Sequence, residues 1–449
     1  MRQSLITAMS RSLGIDRPTF LIGIVFVVAC VLPVLAVRAT GYYPPILAIT
    51  LNAFFDSGHI DGHDSWQPIG DALRYLAAHK PDGLYQATYW HSADQFIYSP
   101  PSLVFCRLTQ WPPLLDWTSP QSLNRAFRWV MFGAVILTVI LFNEFYRVLG
   151  IGAPVPGRME RAARIAIPAG AALLFYPLMR GYWLGNVQTG LTFLLLLALL
   201  LWLRGHRIAV GACLGLICLF KPALAPILLW ALLRREYRVI WGFFALVIPF
   251  GLASLWLFGW SVNADYLSLM SYLSKRGESY VASHSIGSLL NRAVFNGPNL
   301  LWDGSHSHIR YIAWIHWATT IAGLGFIGLA LVGRRQDTPP GSWLDFAVAL
   351  VCVTLASPVI YESHLGFTLP LFLMAGLMLA RDGVSPPWMA WGLGVAYFLM
   401  TNFLEITDRL ADTGFNFLQS YRLFSLIILL AILWRLRAGI GVRAASAAS

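Results

Sequence analysis

The chain has 449 residues, of which 57% are hydrophobic and 12% are charged, and its formal net charge is +11. Its mean hydropathy of +0.63 excludes an ordinary soluble domain and indicates a protein that crosses a membrane many times. The positive charge does not indicate a nucleic-acid partner, because most arginines lie in short loops between apolar runs. We therefore expect one all-α polytopic integral membrane domain over residues 1–449.

Apolar runs that can cross a hydrocarbon core of about 30 Å predict about twelve transmembrane helices. These helices are expected to begin near Thr19, Ala126, Arg164, Val187, Ile208, Pro222, Ile240, Ile309, Trp343, Leu365, Pro387 and Phe417. Arginine clusters precede the first helix and follow the second, fourth, sixth, eighth and last. Because cytoplasmic loops carry an excess of basic residues, this pattern predicts that both termini lie in the cytoplasm.

The run from Ile208 to Leu233 is ambiguous, because Lys221 and Pro222 interrupt its middle and arginines flank both of its ends. A single span would leave one arginine cluster outside. Two short helices that meet outward at Lys221 keep both clusters inside, and Pro222 explains the break. We therefore favour a hairpin.

Two long loops face outward in this topology, residues 38–124 and 259–308. The first contains apolar pieces too short to span, such as 45–55 and 103–115, and several tryptophans, which predicts amphipathic helices at the headgroup level. The inner loops are short, and GxxxxGKS/T does not occur in the sequence, which disfavours a cytoplasmic nucleotide site. We therefore expect the chemistry at the outer face.

The first outer loop contains the best candidate for a catalytic base, Asp64, in the sequence Asp-Gly-His-Asp-Ser-Trp. A carboxylate that is partly shielded from water at a membrane surface has a raised pKa and can accept a hydroxyl proton. A single acidic loop residue is more often merely solvated. The aromatic context, with Tyr98-Ser-Pro-Pro downstream, makes the two interpretations equally good, and Asp61 is a rival base.

Three cationic or titratable side chains could meet a phosphate at the outer face. Lys221 lies in apolar sequence at a helix break, where a buried charge needs an anionic partner, either a protein carboxylate or a phosphate. Arg180 falls at an outer span end. His364 lies in a short outward turn, where a lone histidine is more often structural, and Glu362 is either its orienting partner or a solvated turn residue.

The motifs follow one another in an order that is similar to a known family. They are Asp64 with Ala72-Leu73 and Leu84-Tyr85, Tyr98-Ser-Pro-Pro101, Gly185-Asn-Val-Gln188, the run from Gly215 to Lys221-Pro222 with Arg234-Arg235, Ser283-His-Ser-Ile286, and Ser357-Pro-Val-Ile-Tyr-Glu-Ser-His364. Together they resemble glycosyltransferase family 87, the polyprenol-phosphate-sugar-dependent mannosyltransferases of the GT-C fold. The chain departs from the family pattern in three places. The two amides of the 185–188 motif are exchanged, Ser363 replaces the first histidine of a His-His pair, and Ser283-His284 replaces an Asn-Gln pair.

The resemblance implies an inverting transfer of a sugar, mannose by default, from a polyprenyl-phosphate donor to a lipid or glycan acceptor. It places the reaction at the periplasmic face of a bacterial inner membrane, with Asp64 as the base. Lys221, Arg180 and His364 are expected to stabilise the departing phosphate. The remaining motif residues expected to bind substrate are Asn186, Gln188, Tyr98, His284, Tyr361 and Glu362. No metal or other cofactor is expected.

Two other classes of protein remain open. A secondary transporter commonly has twelve spans and cytoplasmic termini, but its ionisable residues lie near the midplane and its two halves are similar. Here such residues concentrate at the outer surface, and we find no repeat between halves. Another enzyme that uses a lipid phosphate, such as an O-antigen-ligase-like transferase, would also work at the outer face.

Overall fold

The computed structural model describes residues 2–40, 49–50, 62–112, 114–151, 156–302, 309–333, 335–382 and 386–448. All regular secondary structure in these ranges is helical, and two isolated bridges pair Trp111 with Leu115 and Ser283 with Tyr361. The predicted all-α class is therefore confirmed for this part of the chain. The rival base Asp61 and most of the predicted apolar piece 45–55 lie outside the described residues.

The α-helices have the following bounds. They are α1 (Arg2–Ser12), α2 (Arg17–Thr40), α3 (Trp66–Ala78), α4 (Pro100–Thr109), α5 (Pro120–Leu149), α6 (Arg158–Leu173), α7 (Tyr176–Trp183), α8 (Gln188–Leu203), α9 (Arg207–Phe220), α10 (Ile227–Leu233), α11 (Tyr237–Arg276), α12 (Ile286–Ala293), α13 (Ala313–Leu331), α14 (Pro339–Leu355), α15 (Leu369–Asp382), α16 (Pro387–Thr401) and α17 (Tyr421–Ala448). Shorter 3₁₀ segments cover Pro222–Leu224, Glu362–Thr368, Glu405–Leu410 and Asn416–Ser420, and a π-helical turn covers Gln86–Trp90.

Within the described residues, five helical segments are long and apolar enough to cross a membrane. They are Pro120–Leu149, Tyr237–Lys275, Ala313–Leu331, Glu362–Arg381 and Asn416–Ile440. A sixth forms if α6 and α7, which bend by 54° at their junction, count as one span. Other apolar helices have only 10–17 residues. A membrane protein with several spans is therefore supported, whereas twelve spans and the GT-C arrangement stay predictions.

Helix α5 gives the bundle a long axis with two distinct ends. It begins after Ser119, whose hydroxyl accepts a hydrogen bond from the Ser122 amide at 3.3 Å, and it stops at Gly150, where φ is 62°. Near its start, the Asn124 side chain accepts a hydrogen bond from the Trp66 indole at 2.8 Å. Near its end, Tyr146 donates to Asp16 at 2.9 Å. These two contacts are 22 residues apart along the helix, or about 33 Å at 1.5 Å per residue.

The predicted break at Lys221 is present. Helix α9 ends at Phe220, Lys221 is extended (φ −131°, ψ 96°), and a 3₁₀ turn follows at Pro222. The guanidinium of Arg207 lies 3.6 Å from the carboxylate of Glu236, so the two ends of the 207–236 segment meet. This contact agrees with the predicted hairpin; the side of the membrane on which Lys221 lies stays a prediction.

Both predicted outer loops contain helices that pack on each other. In the first, α3 buries one face with Trp66, Ile69 and Leu73. In the second, α11 is broken at Gly259, whose φ of 78° and ψ of 176° are not helical, and this is where the loop was predicted to begin. Beyond the break, the Ser261 hydroxyl donates to Asp82 of the first loop at 2.5 Å. The two loops thus form one helical layer at the α3 end of the bundle.

Candidate active site

Two glycine-containing turns bring Asp64 against the loop between α7 and α8. Gly62 and Gly185 both have positive φ, 72° and 61°. A Cβ on Gly185 would lie 2.7 Å from the Gly62 Cα and 2.8 Å from the Trp66 ring. Because no larger residue fits at Gly185, the motif around residues 185–188 can pack directly on the turn that carries Asp64.

Two neutral groups contact the Asp64 carboxylate. The Asn186 side-chain amide donates to its Oδ2, and the Ser65 hydroxyl lies 3.4 Å from the same oxygen. Ser65 is itself held, since its Oγ is 2.5 Å from the Tyr98 hydroxyl and accepts a hydrogen bond from the Val187 amide at 3.1 Å. The Asp64 residue stays exposed, so a ligand can reach it.

Lys221 reaches the same cluster from the break between α9 and the 3₁₀ turn. Its Nζ lies 3.0 Å from His364 Nε2 and 3.3 Å from Gln188 Oε1. The backbone N–H of Gln188 in turn donates to Asn186 Oδ1 at 2.7 Å. Consecutive contacts therefore link Asp64, Asn186, Gln188, Lys221 and His364, and the residues predicted from four distant motifs do lie together.

The ammonium of Lys221 is not neutralised at close range. Among the described residues, no carboxylate lies within ion-pair distance of it. Burial lowers the pKa of Lys221 to about 8, and the negative charge of Asp64 opposes this effect. An anion placed beside Lys221 would raise its pKa again and favour the charged form.

Tyr361 connects the cluster to a buried carboxyl group that sequence reasoning missed. Its ring packs edge-on against the His364 ring, with centroids 5.5 Å apart. Its hydroxyl donates to Glu278 Oε2 at 2.6 Å. Burial raises the pKa of Glu278 to about 8, although the hydrogen bond from Tyr361 partly offsets this. Burial also raises the pKa of the Tyr361 hydroxyl.

Glu362 belongs to a separate group, in which two arginines compensate its charge. Its Oε1 accepts hydrogen bonds from Arg180 Nε and from the Tyr176 hydroxyl, both at 2.9 Å, and its Oε2 accepts one from Arg422 at 3.1 Å. Only 3% of Glu362 is exposed, so its interpretation as a solvated turn residue is wrong. These contacts are to arginines and a tyrosine, and none of them is with His364 itself. Arg180 therefore forms an ion pair with a protein carboxylate.

His284 lies behind this group. Its Nε2 is 3.1 Å from Arg422 Nη1, and its backbone amide donates to Ile360 at 2.7 Å. Burial, together with the charge of Arg422, lowers the pKa of His284 well below its ordinary range. His284 therefore connects the second outer loop to the turn that carries Glu362 and His364.

Sequence reasoning missed Ser65, Glu278, Tyr176 and Arg422. A signal existed for Arg422, since a lone arginine soon after the start of an apolar run suggests a buried partner. The sequence around Glu278 offers no such signal. In the described part of the chain, no group of three or more histidines, cysteines or carboxylates is arranged to hold a metal ion, and metal independence stays a prediction.

Comparison with known proteins gives one match. The model of glycosyltransferase family 87 matches residues 96–358, which is more than half of the chain. The matched region includes Tyr98, Asn186, Gln188 and Lys221, and it ends just before the turn with His364. No curated protein matches the chain.

Proposed function

Since this chain belongs to glycosyltransferase family 87, we propose that it transfers a sugar, with mannose as the first candidate, from a polyprenyl phosphate to a hydroxyl group of a lipid or glycan acceptor. The reaction takes place at the periplasmic face of a bacterial inner membrane. The observation that carries this proposal is that an exposed carboxylate, Asp64, lies in one connected cluster with Lys221, whose ammonium has no carboxylate within ion-pair distance among the described residues. Such a cluster offers a proton acceptor and a phosphate-binding cation side by side.

The proposed chemistry is a single displacement. Asp64 accepts the proton of the acceptor hydroxyl while its oxygen attacks the anomeric carbon. The bond between that carbon and the phosphate oxygen breaks at the same time, so the configuration inverts and polyprenyl phosphate leaves with the bonding electrons. One base suffices, because no covalent sugar–enzyme intermediate forms.

The departing phosphate gains charge, and fixed cations and donors stabilise it. Lys221 Nζ is the proposed phosphate ligand. Its contact with His364 Nε2 at 3.0 Å makes Nε2 the acceptor from the ammonium group, which leaves the Nδ1–H of His364 to donate to the substrate. Gln188 and Asn186 position Lys221 and Asp64 respectively through the contacts described above.

Arg180 and Glu362 have a positioning role in this proposal. The two arginines on Glu362 hold the turn from which His364 projects. Tyr98 supports Asp64 through Ser65, and Tyr361 supports His364 by ring packing. The substrate itself then contacts mainly Asp64, Lys221 and His364.

The test is to incubate the purified protein, in lipid nanodiscs, with a radiolabelled polyprenyl-phosphate mannose and a bacterial membrane-lipid acceptor fraction. We expect labelled product and free polyprenyl phosphate to appear in equal amounts. The Asp64→Asn variant should form neither, whereas the Asp94→Asn variant should match the wild type. Asp94 is a suitable control because it is an acid of the same loop, and among the described residues its side chain contacts the exposed His63 ring, at 3.1 Å, while its backbone contacts Ser92.

Two outcomes would contradict the proposal. Solute uptake into sealed vesicles without consumption of the lipid donor would support a transporter instead. Turnover of a polyprenyl diphosphate glycan, with no turnover of any polyprenyl-phosphate sugar, would support an O-antigen-ligase-like transferase.

A further inference from the structure

A cavity separate from the candidate active site lies between α2, α15 and α16, with Ala171 of α6 also contributing. It has a volume of about 340 Å³. Its walls are almost wholly apolar and include Ile22, Phe26, Phe372 and Leu393, and its charged lining residue is Arg17. Along α15, the lining extends from Phe372 to Ala380, eight residues or about 12 Å. The cavity is therefore an elongated apolar groove with a cation at one end.

Arg17 lies at the opposite end of the bundle from Asp64. Its neighbour Asp16 accepts a hydrogen bond from Tyr146, near the end of α5, whereas the Asp64 turn packs near the start of α5. The length of α5 between these contacts is about 33 Å. A phosphate bound at Lys221 could not also contact Arg17, so the groove is not the headgroup site of the donor.

The guanidinium of Arg17 has no protein partner among the described residues, and its Nε is buried without a hydrogen bond. The neighbouring carboxylate of Asp16 is occupied by Thr19, at 2.9 Å and 2.8 Å, and by Tyr146, at 2.9 Å. A buried donor without a partner is costly. An anionic ligand with an apolar tail would supply the missing acceptor and fill the groove.

We propose that this groove binds one anionic glycerophospholipid of the membrane leaflet opposite the active site. Its headgroup phosphate accepts hydrogen bonds from Arg17, as phosphates commonly do from arginine. One acyl chain lies along Ile22, Phe372 and Leu393. The site is independent of sugar transfer, and it joins α2 to α15, the helix that directly follows the turn bearing His364.

Gly394 provides a way to block the groove without disturbing the protein. It lines the cavity, and a Cβ added there meets no atom within 4 Å. A phenylalanine at this position would occupy the space of the acyl chain. Gly325 on α13 is the matched control, because a Cβ there also meets nothing within 4 Å and the residue lies outside the cavity.

The experiment is native mass spectrometry of the whole protein released from nanodiscs that contain equal amounts of phosphatidylglycerol and phosphatidylcholine. We expect one retained phosphatidylglycerol per wild-type chain and per Gly325→Phe chain. Arg17→Gln should lower the retained fraction about tenfold or more, as loss of one charge-assisted hydrogen bond implies, and Gly394→Phe should abolish retention.

Three results would overturn the inference. They are equal retention of both lipids by the wild type, undiminished retention by both Arg17→Gln and Gly394→Phe, and displacement of phosphatidylglycerol by polyprenyl phosphate. The last result would assign the groove to the donor chain. Arg17→Gln removes the charge that binds the headgroup, and Gly394→Phe fills the space of the acyl chain. If one variant misfolds, the other still tests the inference.

Discussion

Two carboxylates in and around the candidate active site differ in the partners that surround them. Glu362 is buried and balanced by Arg180 and Arg422, with a further hydrogen bond from Tyr176. Asp64 is exposed and held by the amide of Asn186 and the hydroxyl of Ser65. The first arrangement leaves the Glu362 charge fully compensated within the protein and ties its turn to α7 and α17. The second leaves the Asp64 carboxylate accessible to a substrate, with Lys221 in the same connected cluster.

This difference between Asp64 and Glu362 predicts that Asp64→Asn has the largest effect on catalysis. This change keeps the size of the side chain but removes the carboxylate that accepts the proton. We expect kcat to fall by about 10² to 10⁴, the usual contribution of a general base, with little change in the unfolding temperature. Sugar-transfer kinetics together with a thermal melt would check this, and unchanged kcat would remove Asp64 from the mechanism.

Glu362→Gln should instead act mainly on stability. It leaves the buried Arg422, and the partly buried Arg180, without their anion, and breaking a buried ion pair in this way costs about 3–5 kcal/mol. We expect a clear drop in the unfolding temperature in detergent or nanodiscs. A Glu362→Gln protein as stable as the wild type would show that the two arginines do not depend on this carboxylate.

Lys221→Met should weaken donor binding more than it changes stability, because no carboxylate of the described residues lies within ion-pair distance of the ammonium. Loss of one charged hydrogen bond to phosphate corresponds to about 10-fold or more in the KM of the donor. The wild-type KM should also rise as the pH passes about 8, the pKa of Lys221, because deprotonation removes the charge. A pH-independent KM would contradict the phosphate role.

The smallest effect concerns Glu278, whose pKa is raised from an ordinary value of 4.5 to about 8 by burial. The folded state binds this proton more tightly than the unfolded state, so the associated stability is complete below about pH 4.5 and is lost as the pH rises through 8. It amounts to no more than a few kcal/mol.

Thermal melts from pH 5 to pH 9 test this point. The wild type should lose stability over that range, and Glu278→Gln, which keeps a hydrogen-bond acceptor for Tyr361, should lose less. Tyr361→Phe is the control for the hydrogen bond itself. Parallel pH profiles for the wild type and Glu278→Gln would show that Glu278 is ionised in both states.

The sequence predicted the helix break at Lys221-Pro222, because proline acts locally on the backbone, and it predicted that the second outer loop begins at Gly259, where the helix is broken. It also grouped Asp64, Lys221 and His364, each of which lies next to a helix end. The Glu362 group was not predictable, because Arg422 is 60 residues away from its partner. Glu278 and Tyr361 are 83 residues apart.

The number of spans is a further limit of sequence reasoning. Helices such as α8 and α14 are strongly apolar but have 16 and 17 residues, short of the approximately 20 that a perpendicular crossing needs. Whether such helices cross depends on tilt and on packing against their neighbours. Hydropathy along the chain does not contain that information.

The most direct test of the central claim is a cryo-electron microscopy structure of the Asp64→Asn protein with a bound polyprenyl-phosphate sugar. The account predicts the phosphate within about 3 Å of Lys221 Nζ, and the face of the anomeric carbon opposite the phosphate turned toward residue 64. A phosphate bound away from Lys221, or a sugar whose attacked face points away from residue 64, would contradict it.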